Sequence, residues 1–430
     1  METQRIDDKL KKDDPDRPGW RDVLGPGLIT GASDDDPSGI ATYSQAGAQF
    51  GTQLSWTIVL SFPLLAAIQM VAAQIGRVTG AGLAGNMRRY YPRWLLDTLV
   101  GLLLVANTIN LGADLGAMAA ALKLLVGGPS LVYVALFGIG SAVLEIWLSY
   151  ARYVLVLKWL TLSLLAYVAT VLVAGVDWGR LAHDLVIPSM GFDAQHFTVI
   201  VALLGTTISP YLFFWQAAEE AEDEKETPGA RPLREAPEQA PRELRRIQLD
   251  TIVGMGASHV IALAILVTSA ATLHVYGITD IGTSAEAAEA LRPIAGEFAF
   301  AVFALGIIGT GLLALPVLAG SAAFAVGEAR GWRVGLSRKP REARAFYSVI
   351  AVSILAGIIM NLTPIDPVRA LFWSAVINGV VAVPIMVMMM VMGRNRDVMG
   401  QFTLSPRLNA MGWLATAVMA AASIGMFATL

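Results

Sequence analysis

The sequence predicts an all-α polytopic membrane protein with eleven transmembrane helices, the first and sixth broken at mid-membrane. Three observations predict it. The 430 residues are 55% hydrophobic and 15% charged, with a mean hydropathy of +0.59, a balance routine for helical membrane proteins and rare in soluble domains. Apolar runs of about 20 residues, enough to cross a hydrocarbon core of about 30 Å, recur along the chain. Two of those runs are interrupted by hydroxyls, small residues and proline where a plain span has none, the first by acids as well.

Residues 1–20 are charged (Lys9, Lys11, Lys12, Asp13, Asp14, Asp16) and lack an apolar core, so they read as a cytosolic tail without a cleavable signal. Residues 21–430 form one transmembrane domain. Its first segment opens with Leu24 to Ala32, and a helix can resume from Ile40 to Phe50. Between them Ser33, Asp34, Asp35, Asp36, Pro37, Ser38 and Gly39 place three carboxylates ahead of two helix breakers. Irregular backbone at membrane depth survives only where protein buries it or a cavity wets it, and acids there are costly, so a functional reading outweighs that of an acidic loop.

The second segment covers Leu54 to Ile75, followed by a polar connector with Arg77, Arg88, Arg89 and Arg93. The third, about Leu95 to Leu125, holds the intramembrane candidates Asn107, Asn110 and Asp114. The fourth runs from about Leu131 to Tyr150 and the fifth, past Arg152, from about Val154 to Ala174. A loop with Asp177, Asp184 and Asp193 leads to the sixth, His196 to Ala218. Glu219 to Arg246 is the most polar stretch and reads as a cytosolic loop, helical at most in its first acidic turns. The remaining spans lie at about Ile247 to Tyr276, Gly296 to Val326, Ala345 to Leu362, Leu371 to Met392 and Leu408 to Leu430. With the N-terminus inside, all of the 31 lysines and arginines except Lys123, Arg180, Arg292 and Arg369 fall on the cytosolic side. A miscounted helix would invert every later loop, so the expectation is an N-terminus inside the cell membrane and a C-terminus outside.

The sixth segment mirrors the first, because Thr206, Thr207, Ser209 and Pro210 repeat the small, polar and proline theme at mid-membrane. Interrupted segments at corresponding places point to an inverted-repeat transporter. One repeat would cover about 21–175 and the other about 196–395, with an accessory helix at about 408–430. The 41 glycines suit close helix packing, the absence of cysteine excludes disulfides and thiolate metal sites, and a net charge of −3 gives no reason to invoke nucleic acid.

GPGLITGASDDDPSGIATYSQAGAQFG resembles the first helix of NRAMP-family divalent metal transporters, in which GPG, a DPGN motif and QAGAQFG recur. The eighth segment (FALGIIGTGLLALPVLAGSAAFAV), the sixth (TTISPYLFFWQ) and the tenth (NGVVAVP, then NRDVMG) look like the NRAMP-related magnesium transporters of bacteria. The resemblance covers about residues 20 to 400 and implies the LeuT-type fold, with helices one to five related to six to ten. It places the DPGN aspartate on Asp36 and its asparagine on Gly39. The alanine and the metal-binding methionine of the sixth helix fall on Thr206 and Ser209, and the following histidine on Tyr211. Asp114 matches an acid of the family's proton route, whose partner glutamate is here Ala117.

The substitutions have a physical reading of their own. A thioether favours soft transition metals, so Ser209 in its place removes discrimination against hard cations, and oxygen donors suit Mg²⁺ or Mn²⁺. Mg²⁺ usually keeps several waters, and Gly39 with Ser209 is expected to leave room for them. The expected metal set is Asp36, Gly39, Thr206 and Ser209, with Asp35, Gln45, Tyr211, Gln216 and Asp114 in a second shell or along the pathway. An alternative role for Thr206 and Ser209 is to satisfy the carbonyls freed by Pro210. A divalent ion gains about 4.6 kcal/mol per 100 mV, a gradient of more than roughly a thousandfold, without any proton.

Import of Mg²⁺ and Mn²⁺ without proton coupling is therefore the leading expectation, and a proton-coupled Mn²⁺/Fe²⁺ symporter is the alternative. A sodium-coupled amino-acid symporter would have its substrate carboxylate repelled by Asp36. An enzyme would need a nucleophile and base, and no histidine lies near either break. His259 and His274, fifteen residues apart, read as a packed and an interfacial side chain. Glu145, near the cytosolic end of the fourth span, reads as snorkelling or as pairing with Arg152, and Met386, Met388, Met389 and Met390 as lipid-facing or packed. No cofactor is expected; the metal is the cargo, the bilayer the surroundings, and the chain a monomer.

Overall fold

The computed structural model describes residues 30, 31, 33–147 and 162–430, and every structural statement refers to these. The tail, the opening of the first segment through Ile29, Ala32, and the start of the fifth span with Arg152 lie outside them. The described chain is helical throughout. Its principal helices are α1 (Pro37–Phe50), α2 (Ser55–Thr79), α3 (Leu83–Tyr90), α4 (Arg93–Val126), α5 (Ser130–Trp147), α6 (Leu165–Val173), α7 (Trp178–Val186), α8 (Ala194–Thr207), α9 (Pro210–Glu226) and α10 (Ala240–Thr272). They continue with α11 (Ser284–Glu289), α12 (Ala299–Arg330), α13 (Arg344–Met360), α14 (Pro367–Arg394) and α15 (Pro406–Thr429).

Seven spans are long and apolar enough to cross a bilayer on their own: α2, α4, α8 with α9, α10, α12, α14 and α15. The other expected spans correspond to shorter helices (α1, α5, α6 and α13). Three local expectations are corrected. The first segment resumes its helix at Pro37, not Ile40, because proline at the first helical position lacks an N–H that would be unpaired there anyway. The loop after the fifth span contains the amphipathic α7, started by Asp177, whose side chain accepts from the Arg180 N–H. The seventh span starts at Ala240, inside the stretch read as a loop, while α9 carries its acidic turns to Glu226 as expected.

Packing shows the repeat. Exchanging the two halves of an inverted repeat turns the pair of segments one and seven into six and two, and returns three and eight to themselves. The corresponding pairs, α1 with α10, α9 with α2 and α4 with α12, are all closely packed. Trp94 and Trp332 lie exposed at one end of the bundle, and Trp178, Tyr276, Phe298 and Trp373 at the other, as aromatic belts require. The first end carries the arginine-rich connectors and is called the basic end below.

Glycine sets the distance between α8 and α14. A β-carbon on Gly205 would stand 2.1 Å from the Ala375 carbonyl oxygen and 2.5 Å from the Gly379 nitrogen, so the backbones touch. Gly205→Ala should therefore force the helices apart at a cost of about 1–3 kcal/mol. Thermal unfolding of the purified protein should show a midpoint several degrees lower; an unchanged midpoint would mean the two helices are not in contact at Gly205.

Candidate metal centre

Both breaks place a polar residue with extended backbone before a proline, but only the first of these residues caps its helix. Asp36 has extended backbone at the start of α1, and its Oδ1 accepts the Gly39 N–H at 2.7 Å, pairing one of the donors that a helix start leaves open. Ser209 holds the matching position before Pro210, at the start of α9. Its hydroxyl turns back to donate to the Gly205 carbonyl at 2.7 Å, with the Thr206 carbonyl 3.0 Å away. That is the backbone-satisfying role weighed above, and it leaves the hydroxyl oxygen free to accept or to coordinate.

The second carboxylate oxygen of Asp36 receives two further donors. Asn110 Nδ2 and the Tyr211 hydroxyl each lie 3.1 Å from Oδ2. Asn378 Nδ2 reaches Asn110 Oδ1 at 3.4 Å, so α14 steadies the same group through α4. Asp36, Gly39, Thr206, Ser209 and Tyr211 are all buried, and the two breaks face one another. The contact is direct, since a β-carbon on Gly39 would lie 3.3 Å from Thr206 Oγ1 and 3.3 Å from the Tyr43 ring. The room expected at Gly39 is thus taken by Thr206, a correction that follows from the larger side chain across the break.

The other acids part company. Ser258 Oγ stands 2.7 Å from Asp34 Oδ2 and 3.1 Å from Asp35 Oδ1, with one hydrogen to give, so both carboxyls turn to α10. Asp114 is fully buried, and neither of its oxygens has a hydrogen-bond partner among the described residues. It lies one turn from Asn110 on the same face of α4, within the field of Asp36.

Two pathway candidates are occupied elsewhere. Gln45 accepts the Ile281 N–H at 2.9 Å and donates to the Thr279 carbonyl at 3.2 Å, which ties the loop after α10 to α1 at the far end. It lines a cavity of about 370 Å³ there, with Ala41, Gln49, Thr198, Asp280, Arg369 and Trp373. Gln216 lies towards the basic end and accepts from the Thr30 hydroxyl at 2.5 Å. Ser258 and Asn378 were missed. A serine in a long apolar helix carries no pattern, and Asn378 was visible only inside the NGVVAVP motif.

Outside the centre, the two histidines and the methionines behave as read, whereas the expected partner of Glu145, Arg152, lies outside the described residues. His259 is packed, with Nδ1 2.9 Å from the Met255 carbonyl and Nε2 3.1 Å from Ser61 Oγ, and His274 meets the Ala48 carbonyl at 2.8 Å. The four methionines of α14 are core. Glu145 is buried without a hydrogen-bond partner among the described residues.

A profile of the family described as natural resistance-associated macrophage protein-like (Nramp) matches residues 27–429. The chain belongs to the Nramp family. Nramp proteins are transporters of divalent metal ions, integral to the membrane, with the metal as cargo and no cofactor. The fold agrees. A manganese transporter of Eremococcus coleocola, crystallised with an aromatic bis-isothiourea compound, superposes with a TM-score of 0.71 at 18% identity, over 95% of this chain and 87% of that one. MhsT in complex with L-phenylalanine gives 0.63 at 12% identity, over 93% and 98%. Mhp1, a nucleobase-cation-symport-1 transporter, gives 0.54 at 15%, over 94% and 92%. The architecture is therefore the LeuT-like one.

Proposed function

We propose that this Nramp protein imports Mg²⁺, and Mn²⁺ beside it, down the membrane potential and without protons. The observation that carries the reading is the donor set around Asp36: a carboxylate, Thr206 and Ser209 at the facing break, and a phenol, Tyr211, where the family resemblance expects a histidine. Hard oxygen donors suit hard cations, and with no thioether at Ser209 nothing there favours a soft one. Thr206 puts a hydroxyl oxygen beside Gly39, where an ion's own water would otherwise stand, so it adds one more hard donor to the set. Mn²⁺ is equally content with oxygen, and the fold is shared with a manganese transporter. The cradle consists of Asp36, Gly39, Thr206 and Ser209, with Tyr211 and Asn110 orienting the carboxylate and Asp114 adding negative potential. The proposal includes eleven spans, a monomer, the basic end in the cytoplasm and the C-terminus outside.

One observation favours the second reading, a proton-coupled Mn²⁺/Fe²⁺ symporter. Asp114 is a buried carboxyl without a partner beside the anchor, as a proton carrier would be. Growth rescue at low Mg²⁺ of a strain lacking its magnesium transporters tests the cargo. A chain that rescues a manganese-uptake mutant but not this strain would exclude the magnesium reading.

Selectivity has its own test. Ser209→Met places a long, soft side chain beside Thr206 and should lower Mg²⁺ uptake relative to Mn²⁺ and Cd²⁺ by about tenfold. Competition uptake in proteoliposomes reports the ratio, and an unaltered ratio would show that residue 209 does not face the ion.

A further inference from the structure

Two exposed tryptophans at the basic end stand among arginines. Trp94, in the first turn of α4, is 69% exposed, and Trp332, just past α12, is 42% exposed. Arg93 precedes the first, and Arg330 and Arg333 flank the second. The two places are one surface. Arg330 Nη2 lies 3.2 Å from Asp97 Oδ1, one turn into α4, and a β-carbon on Gly331 would collide with the Arg88 guanidinium. Residues 83–97 and 328–334 together hold five arginines, no lysine and two acids, Asp97 and Glu328. Both acids are engaged. Asp97 pairs with Arg330, while Glu328 accepts the Gly82 and Gly85 N–H groups at 2.7 and 2.9 Å. Arg88, Arg89, Arg93 and Arg333 are exposed and make no ion pair among the described residues.

Helix ends carry these groups, so the surface is built and not a loose loop. Glu328 pins the start of α3 to α12 through its two backbone bonds. The α12 helix closes on Gly331, whose φ of +72° suits glycine, and the Trp332 N–H returns to the Gly327 carbonyl at 2.8 Å. Cytosolic connectors are commonly basic, but that tendency asks for charge alone, anywhere along the connector. It asks neither for two exposed indoles beside the charges nor for arginine throughout. Indoles settle at headgroup level, which puts these guanidinium groups at the depth of lipid phosphates. The planar guanidinium fork matches a phosphate in a way that a lysine ammonium does not.

We infer that this surface docks the headgroup of an anionic phospholipid, with Arg88 and Arg333 on the phosphate and Trp94 and Trp332 between headgroup and acyl chains. The lipid bridges the start of α4 and the end of α12, two helices that already pack closely, so it braces their joint and blocks no path to the metal centre. Net negative charge on the headgroup is what the arginines select, because a zwitterionic lipid brings its own cation to the same place. The orientation proposed above makes the leaflet the cytoplasmic one; the docking itself does not depend on it.

Delipidated protein in neutral detergent, titrated with phosphatidylglycerol or phosphatidylcholine of equal chain length, reads the docking by native mass spectrometry. One phosphatidylglycerol should be retained at a roughly tenfold lower concentration than phosphatidylcholine. Arg88→Gln with Arg333→Gln should erase that preference. Arg245→Gln with Arg407→Gln should leave it, since these exposed arginines sit on α10 and α15, which do not pack closely against α4 or α12. A preference lost equally in both pairs would reduce the effect to diffuse charge and overturn the site, as would a wild type that shows none. If the first pair fails to fold, Arg88→Lys with Arg333→Lys keeps both charges and decides the matter. A several-fold weaker preference there supports recognition by the guanidinium forks, and an unchanged one overturns it. Inorganic phosphate equimolar with the lipid should not displace it; displacement would make this a site for free phosphate and disprove the lipid.

Discussion

In Asp36→Asn, binding of Mg²⁺ and Mn²⁺ should fall by roughly two orders of magnitude or more while the fold survives. The amide keeps an acceptor for the Gly39 N–H, so the start of α1 remains capped. The Tyr211 hydroxyl can turn from donor to acceptor, while Asn110, which donates to the same oxygen, must turn its amide or give up that bond. What disappears is the formal charge at the meeting of the two breaks, and removing one partner of a desolvated charge pair costs about 2–5 kcal/mol. Calorimetry with both metals, beside thermal unfolding of the same preparation, separates lost affinity from lost structure. An affinity equal to wild type would remove Asp36 from the centre of the mechanism.

The second large effect concerns what travels with the metal. Proteoliposomes loaded with a pH dye and held at an inside-negative potassium–valinomycin potential should take up Mg²⁺ faster as the potential rises, with internal pH flat. A divalent ion gains about 4.6 kcal/mol per 100 mV, which suffices for accumulation. Tyr211 donates to Asp36 instead of carrying a proton away, and Ala117, also buried, gives Asp114 no acidic partner one turn on. Asp114→Asn should then slow uptake only modestly, by weakening the local negative potential. Acidification that follows uptake and disappears in Asp114→Asn would instead establish the proton-coupled carrier.

Much of this was legible in the sequence because the bilayer leaves few options. A run of apolar residues must be a helix, and a run with acids and proline must break. Hence Asp36 and the pair Thr206 and Ser209 could be placed on facing interruptions before any coordinates. Tyr211 was legible as well, since it follows the proline. What escaped were contacts depending on how far helices approach one another. Ser258 meets Asp34 because Gly31 and Gly254 allow two helices to touch, and no periodicity encodes that pairing. Gln45 looked like an ion-facing amide because it follows the break, but loop closure set its direction. The helix Trp178–Val186 was hidden because three aspartates suggested a loop, while one of them, Asp177, is the residue that starts it.

The contact between Gly39 and Thr206 bears on how such a centre changes over evolutionary time. Where the family resemblance expects asparagine and alanine, this chain has glycine and threonine, and only 3.3 Å separates a β-carbon at 39 from Thr206 Oγ1. The two positions share one volume. Enlarging residue 39 first collides with the threonine, and shrinking residue 206 first leaves a polar hole beside the carboxylate. A side chain at 39 therefore requires Thr206 to give way by a few tenths of an ångström or to be replaced by a smaller residue, so what each position tolerates depends on the other.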